Sequence, residues 1–172
     1  MTPEERLTYA TWLERARPLL EAGQWGEALK DAPRLQLEPA RPRPLPKPLN
    51  EATVALVTSA GLSAPGQPPM DGPNIEGDYT VRVIDIEQPT SGLQISHTHF
   101  DTAAAREDIN VVYPIDRLNE LAAEGVIGRV APQAISFMGY FSNVYRIRDD
   151  VCPAVVSAVY KADADAAVLV PV

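Results

Sequence analysis

The chain has 172 residues, enough for one domain with a buried core, and 45% hydrophobic and 22% charged residues, as is ordinary for a soluble globular protein. A net charge of −8 argues against nucleic acid as the main partner, because phosphate binding needs a basic face. No apolar run reaches the roughly 18 residues that span a membrane, the acidic start MTPEERLTYA lacks the basic region of a signal peptide, and a single cysteine excludes an intrachain disulfide. We therefore expect a cytoplasmic protein that binds neither nucleic acid nor a membrane.

The N-terminal part is predicted to be helical. Thr2 is a good N-cap, Pro3 suits the first helical position, and two glutamates follow at the positive end of the helix dipole. Apolar residues then recur at helical spacing, which predicts an amphipathic helix over 3–21. A second, short helix is predicted for Trp25 to Lys30. We interpret residues 1–37 as an N-terminal helical arm.

A proline-rich segment, residues 38–50, follows the arm. Its prolines alternate at Pro42, Pro44, Pro46 and Pro48. This pattern forbids helix and strand pairing and favours an extended polyproline II conformation. Two interpretations stay open: a ligand for an SH3-like groove, or a stiff connector between the arm and the main domain. Proline-rich segments are commonly linkers, so the composition favours the connector interpretation.

Residues 51–172 alternate between strand and helix patterns. The pattern predicts strands at 53–58, 80–86, 92–96 and 166–172, helices at 116–125 and about 153–161, an extended piece at VIGRVA, and a long Gly/Pro-rich loop over 64–78. Such alternation is typical of an α/β domain with a largely parallel, Rossmann-like sheet. In that architecture the ligand crevice lies beyond the carboxyl ends of the strands. The turn SAGL, at 59–62, and the segment SHTHFD, at 96–101, both lie at predicted strand ends.

SHTHFD contains both histidines of the chain, His97 and His99, together with Asp101. Three roles stay open for this set. It could supply ligands to zinc or ferrous iron, although a secure metal site needs three or four ligands and the chain has no HExxH or CxxC motif. A histidine could bind substrate or transfer a proton near neutral pH. The imidazoles could instead bond structurally to loop carbonyls.

Other polar residues have simpler interpretations on their own. Asp116 and Arg117 suit an N-cap and a solvated side chain, and the aromatic segment SFMGYF suits a core turn at Gly139. Cys152 lies near a predicted helix start, but no base is adjacent to it in the sequence, which favours an inert thiol. SAGL matches neither a P-loop nor a dinucleotide-binding motif.

Five segments together resemble the glycine/sarcosine/betaine reductase component B family, which includes D-proline reductase relatives. They occur in the family's order from about Thr53 to the end of the chain: ALVTSAGL, LQISHTHFD, INVVYPIDRLNELAAEGVIG, ISFMGYF and ADAAVLVPV. The resemblance implies a reductase that works with other subunits and a thioredoxin-like reductant on a small-molecule substrate. In this family a selenocysteine or cysteine attacks the substrate and cleaves a carbon–heteroatom bond, such as C–N of an amino acid or betaine. A selenolate suits this role because a free thiol, with a pKa near 8.5, is mostly protonated at neutral pH.

The resemblance also implies where the nucleophile would lie. In the family, the selenocysteine or cysteine motif comes just after the strand that AAVLVPV resembles, so we expect it after Val172 and no cofactor in this chain. Our hypothesis is a truncated chain, in which a UGA codon for selenocysteine was read as a stop; the downstream codons test it. A shortened chain and a short non-catalytic homologue are the alternatives. We expect the chain alone to have little reductase activity.

We interpret His97, His99 and Asp101 as the catalytic residues, acting as proton donors or as ligands to the polar end of a substrate, with no metal. The motif match adds second-line candidates for substrate binding: Ser59, Gly61, Asp116, Arg117, Ser136 and Gly139. Two other functions stay open. One is a metal-dependent enzyme that uses the histidines and Asp101, and the other is a non-catalytic module that docks through residues 1–50. Homo-oligomerisation also stays open.

Overall fold

A computed structural model describes residues 1–41 and 43–172. It has seven strands, β1 to β7 in chain order: Thr53–Thr58, Leu62–Ser63, Val81–Asp85, Gln94–Ile95, Arg129–Val130, Gln133–Phe137 and Ala166–Val170. It has six α-helices, α1 to α6: Pro3–Glu21, Trp25–Ala28, Ala103–Glu107, Ile115–Ala123, Val144–Arg146 and Cys152–Lys161. A π-helical turn, Ile147–Val151, joins α5 to α6. None of the helices in the described ranges combines the length and apolarity needed to cross a lipid bilayer.

The arm begins with a complete capping box. The Thr2 hydroxyl accepts a hydrogen bond from the Glu5 N–H at 3.2 Å, and the Thr2 N–H donates to the Glu5 carboxylate at 2.8 Å. The predicted helix over 3–21 is confirmed, and the second helix ends at Ala28, two residues earlier than predicted. The Trp12 indole N–H donates to the Ala28 carbonyl at 3.1 Å, which fixes α2 against α1.

The arm is fastened to the rest of the chain by polar contacts. The Tyr9 hydroxyl lies 2.8 Å from the Ser142 hydroxyl, a buried contact. Arg148 donates two hydrogen bonds, at 2.7 and 3.0 Å, to the Glu5 carboxylate. This bidentate pair explains why the pKa of Glu5 is lowered to about 2. The arm therefore has a defined position on the domain.

The main sheet is mostly parallel, which confirms the predicted α/β fold. β1 pairs in parallel with β7 along one edge, and with β5 and then β6 along the other. β6 also pairs with β3, antiparallel, so the order across the sheet is β3, β5/β6, β1, β7. Every residue of β1 is buried, as expected for a central strand covered on both faces. β2 and β4 form a separate antiparallel pair beyond the end of β1.

Core residues lie on both faces of the sheet. On one face Leu56 and Ile84 pack with Tyr113 and with Leu118 of α4. On the other, Val57 belongs to a cluster completed by alanines and valines of α6. Alternate side chains of β1 thus supply both layers, which is why its sequence is continuously apolar and shows no alternation.

Some predicted boundaries differ from the structure. β6 was not predicted, because QAISF follows a proline and its inner residues are all buried, which removes the alternating pattern. The strand predicted at 92–96 is only Gln94–Ile95, since residues 90–92 form a tight turn. β7 ends at Val170, before Pro171, which has no N–H for strand pairing.

The proline-rich segment is described apart from Pro42, which lies outside the described residues. Its other residues form no strand, and a short helical turn begins only at Leu49. Lys47 makes an ion pair of 2.8 Å with Asp165, just before β7, so this segment contacts the sheet. Its role as a connector stays a prediction.

The loop over 64–78 packs against the histidine segment. The Thr98 hydroxyl donates to the Gly72 carbonyl at 3.0 Å, and the Tyr140 hydroxyl donates to the Ile75 carbonyl at 2.8 Å. A Cβ on residue 72 would lie 1.9 Å from the Ser96 carbonyl oxygen, so glycine is required for this approach. The loop thereby supports the backbone that carries both histidines.

Candidate functional site

The carboxyl ends of β1, β6 and β7 meet at Ser59. The Ser59 N–H donates to the Val170 carbonyl at 3.1 Å, and the Ser59 hydroxyl accepts from the Val172 N–H at 2.9 Å. The Gly61 N–H donates to the Phe137 carbonyl at 2.9 Å. Parallel strands bring their carboxyl ends to one edge of the sheet, so residues far apart in sequence converge there.

His97 reaches this edge from the loop after β4. His97 is only 5% exposed, and its Nδ1 accepts the His99 N–H at 3.1 Å. Its Nε2 is buried and has no hydrogen-bond partner among the described residues. Because Nδ1 accepts, the ring proton of the neutral form lies on Nε2. Burial, and secondarily the nearby His99, lowers the pKa of His97. At neutral pH His97 is therefore an uncharged donor with its N–H unused.

The backbone of Gly139 packs directly against this donor. A Cβ on Gly139 would lie 3.1 Å from His97 Nε2 and 3.0 Å from the Ser59 hydroxyl oxygen. The two polar atoms therefore lie close together beside Gly139, and the Ser59 carbonyl oxygen lies 3.0 Å from the same Cβ position. A cavity of about 390 Å³, lined by Val57, Phe137, Leu169 and neighbouring residues, opens beside Ser59. Ser59 is the residue that this cavity shares with the contact between His97 and Gly139.

Ser136 and Gly61 shape the turn that follows β1. The Ser136 hydroxyl is fully buried and accepts the Leu62 N–H at 2.7 Å. Gly61 adopts φ +66°, in the left-handed region, and a Cβ there would lie 3.1 Å from the terminal methyl group of Met138 and 3.3 Å from the backbone nitrogen of His97. These contacts position the turn after β1 and the histidine backbone.

His99 faces a different neighbourhood. Its ring stacks on Tyr140, with centroids 3.9 Å apart, and meets Trp25 of the arm at 4.6 Å in an edge-to-face contact. Burial lowers the pKa of His99. Asp101 is exposed, and its carboxylate accepts the Ala103 N–H at 2.9 Å at the start of α3. Trp25 and Tyr140 were missed as site residues, although the aromatic segment SFMGYF was a signal for the second.

The structure separates Asp116 and Arg117 from this group. Both are exposed on α4; Asp116 accepts a hydrogen bond from the Asn110 side chain at 2.8 Å, and Arg117 pairs with Glu120 at 2.9 Å. These contacts lie within their own segment. A role for them in substrate binding stays a prediction.

Across residues 1–41 and 43–172, no group of three or more His, Cys, Asp or Glu side chains could hold a metal ion. His97, His99 and Asp101 accordingly do not form the facial ligand set that a metal-dependent enzyme would require. Cys152 is exposed at the first turn of α6 and lines an apolar groove of about 550 Å³ beside β7. It is not among the residues that meet at Ser59.

The chain resembles known reductase subunits over most of its length. The family model described as glycine/sarcosine/betaine reductase selenoprotein B matches residues 32–171. D-proline reductase subunit gamma of Acetoanaerobium sticklandii is 32% identical over 126 residues, 73% of this chain and 51% of that protein. Glycine reductase complex component B subunit gamma of Carboxydothermus hydrogenoformans is 33% identical over 107 residues, 60% of this chain and 24% of that protein.

A third relative has a different substrate in its name. Betaine reductase complex component B subunit beta of Peptoclostridium acidaminophilum is 35% identical over 100 residues, 54% of this chain and 22% of that protein. The chain thus spans about half the length, or less, of these curated relatives. No solved structure matches, so the Rossmann-like description stays a prediction. The match of one family model to most of the chain establishes that it belongs to the glycine/sarcosine/betaine reductase selenoprotein B family.

Proposed function

We propose that this chain is a subunit, or part of one, of a selenoprotein B-type reductase, and that it holds the carboxylate of a small amino acid or betaine. Family membership supports the reductase role, and the relatives' names describe subunits of reductase complexes, which supports other reductase subunits as partners. The observation that carries the proposal is the buried, unpartnered Nε2 of His97 beside Ser59 and Gly139. A buried donor without a partner is costly unless a ligand satisfies it.

The chemistry needs a nucleophile as well as a binding site. In the proposed reaction a selenolate or thiolate attacks the carbon next to the carboxylate, and the C–N bonding pair leaves with the nitrogen. One thiolate of a thioredoxin-like dithiol then attacks the selenium or sulfur of the adduct, and the carbon leaves with the bonding pair and takes up a proton. The second thiol of the dithiol releases the nucleophile, so that the dithiol is oxidised to a disulfide. Cys152, the only cysteine, is exposed on α6 and is not part of the Ser59 group. The proposal therefore takes the nucleophile from outside residues 1–172.

His97 has a defined role in this scheme. As a neutral ring with its proton on Nε2, it donates a hydrogen bond to the carboxylate and does not act as a general base. The Ser59 hydroxyl, which already accepts from Val172, can donate its own proton to the same group. The two donors would hold the substrate with its reacting carbon at the carboxyl edge of the sheet.

Binding measurements test this role without the complete reductase. Glycine, sarcosine, betaine and D-proline are titrated by calorimetry into the wild-type chain and three variants. We expect one or more of them to bind the wild type, and His97→Leu and Gly139→Ala to weaken the binding of that ligand about tenfold, about 1.4 kcal/mol. The first variant removes the donor, and the second places a Cβ against Ser59 and His97 and displaces them. His97→Gln retains an N–H donor and should bind better than His97→Leu.

Glu124→Gln is the matched control, because it changes an exposed polar residue at the end of α4, outside the Ser59 group. Its affinity should equal that of the wild type. Equal affinity of the wild type and Gly139→Ala for every ligand, or no binding of any of the four, would contradict the carboxylate site. The interaction-module alternative predicts instead a pull-down that survives loss of both histidines but not of residues 1–50.

A further inference from the structure

A second pocket lies between the N-terminal arm and the α/β domain. Its volume is about 510 Å³, within the range of small-molecule sites. Trp25 lines it from the arm, and His99, Phe100, Asp101 and Tyr140 line it from the domain. Ser59 and Gly139 do not line it, so it is distinct from the proposed carboxylate site beside His97.

The aromatic walls of this pocket are held in place. His99 and Tyr140 are stacked with an interplanar angle of 17°, and both stand nearly perpendicular to Trp25, at 87° and 81°. Their centroids lie at similar distances from Trp25, 4.6 and 5.3 Å, so the stacked pair presents its edges to the face of the indole. Hydrogen bonds from the Tyr140 hydroxyl and the Trp12 indole fix the two sides. The pocket is therefore preformed.

The charge of the pocket is negative. Among its lining residues Asp101 has the only carboxylate, and it forms no salt bridge in the described part of the chain. Burial lowers the pKa of His99, so this ring is neutral at pH 7 and does not repel a cation. An aromatic face beside an unpaired carboxylate is the chemistry that recognises ammonium groups.

We propose that this pocket binds a small organic ammonium group, with Trp25 as its aromatic wall and Asp101 as its counter-ion. Trp25 lies outside residues 32–171, which the family model matches, so the arm contributes a part of the site that the family match does not include. The inference rests on the proposed function only in naming an amine substrate as the natural ligand. The pocket itself is tested with a probe that has no carboxylate.

The probe is tetramethylammonium chloride, added at constant ionic strength to the uniformly ¹⁵N-labelled chain. The chain has two tryptophans, so two indole N–H signals are expected in the spectrum. We expect tetramethylammonium to shift the signal that is absent from Trp25→Phe, while tert-butanol, neutral and of similar shape, shifts it far less. Affinities of all variants are read from the backbone amide signals that the cation shifts, because the Trp25 variants lack the indole signal. Asp101→Asn and Trp25→Leu should weaken binding roughly fivefold or more, since cation–π attraction and a carboxylate each contribute at this level.

Glu124→Gln is the matched control, because it removes one exposed carboxylate at the end of α4 and should leave affinity unchanged. Thermal melting checks the fold of Trp25→Leu, and Trp25→Phe, which keeps an aromatic ring, should bind with intermediate affinity. The proposal is overturned if tert-butanol binds as well as the cation. Wild-type affinity in both Asp101→Asn and Trp25→Phe, or an equal loss in Glu124→Gln, would also overturn it.

Failure of this proposal and failure of the proposed function give different results. Betaine and its carbon isostere, in which tert-butyl replaces trimethylammonium, share the carboxylate and differ in the positive charge. If tetramethylammonium binding depends on Asp101 while His97→Leu does not change the affinity of carboxylate ligands, the ammonium-pocket proposal stands and the carboxylate-site proposal fails. If the affinity of carboxylate ligands depends on His97 while substitutions at Trp25 and Asp101 do not change the affinity of tetramethylammonium, the carboxylate-site proposal stands and the ammonium-pocket proposal fails.

Discussion

Replacing Ser136 by alanine tests whether this residue supports the site or binds substrate. Its hydroxyl is fully buried in β6 and accepts the Leu62 N–H at 2.7 Å, from a residue that is itself fully buried. Ser136→Ala leaves that N–H without an acceptor, which costs about 1–3 kcal/mol. For a chain of this size each kcal/mol lowers the melting temperature by about 2–4 °C. We therefore expect the melting temperature to fall by roughly 2–12 °C.

Urea and thermal unfolding measure this change, and an unchanged urea m-value would show that the unfolded state is not altered. Ser157→Ala is the matched control, because Ser157 is exposed on α6 and alanine is the better helix former. It should be neutral or slightly stabilising. The affinity of folded Ser136→Ala for a carboxylate ligand should match the wild type. A stability loss below about 0.5 kcal/mol, the level of an ordinary surface substitution, would refute the support role.

Three further predictions concern the loop, the histidines and the arm. Gly72→Ala should destabilise the chain and weaken carboxylate binding, because a Cβ 1.9 Å from the Ser96 carbonyl must displace the backbone before His97; unfolding and calorimetry measure both. The free energy of unfolding should fall as pH drops below about 6.5, because the pKa values of His97 and His99 are lowered in the folded state and the unfolded state binds more protons. The fall should be at most about 1.4 kcal/mol per pH unit for each histidine. Urea titrations at several pH values measure it, and His97→Gln should make the free energy of unfolding less dependent on pH. Tyr9→Phe removes the buried contact to Ser142 and should cost about 0.5–1.5 kcal/mol, with faster proteolysis of the arm; an unchanged cleavage rate would show that this contact does not hold it.

The sequence predicted those elements whose signals are local. The cap at Thr2 and the helical spacing after it placed α1 correctly, and the run at 53–58 placed β1 to the residue. Helix α4 ends before Gly125, which adopts φ +71°, as its glycine signal indicated. The order of five short motifs was enough to indicate the family, which the family match confirmed.

The candidate site depended on contacts that no local pattern encodes. Ser59 and Gly139 follow β1 and β6, whose parallel pairing brings their ends to one edge. His97 follows β4 and reaches that edge through the separate β2–β4 pair. Burial, and secondarily the nearby His99, lowers the pKa of His97, and the hydrogen bond from the His99 N–H to Nδ1 sets its tautomer. SHTHFD alone therefore left metal binding, proton transfer or substrate binding, and a structural role all open, with metal binding the least favoured.

The arm shows the same division. Its helices were readable from capping and periodicity, because these act over three or four residues. Its contribution of Trp25 to the wall beside His99 was not readable, since 74 positions separate the two rings in the sequence and only the docking of the arm makes them neighbours. Local hydrogen bonding and apolar periodicity thus determined the helices and strands, and the order of the motifs indicated the family. Long-range packing decided which side chains share a pocket and which protonation state the buried histidines adopt.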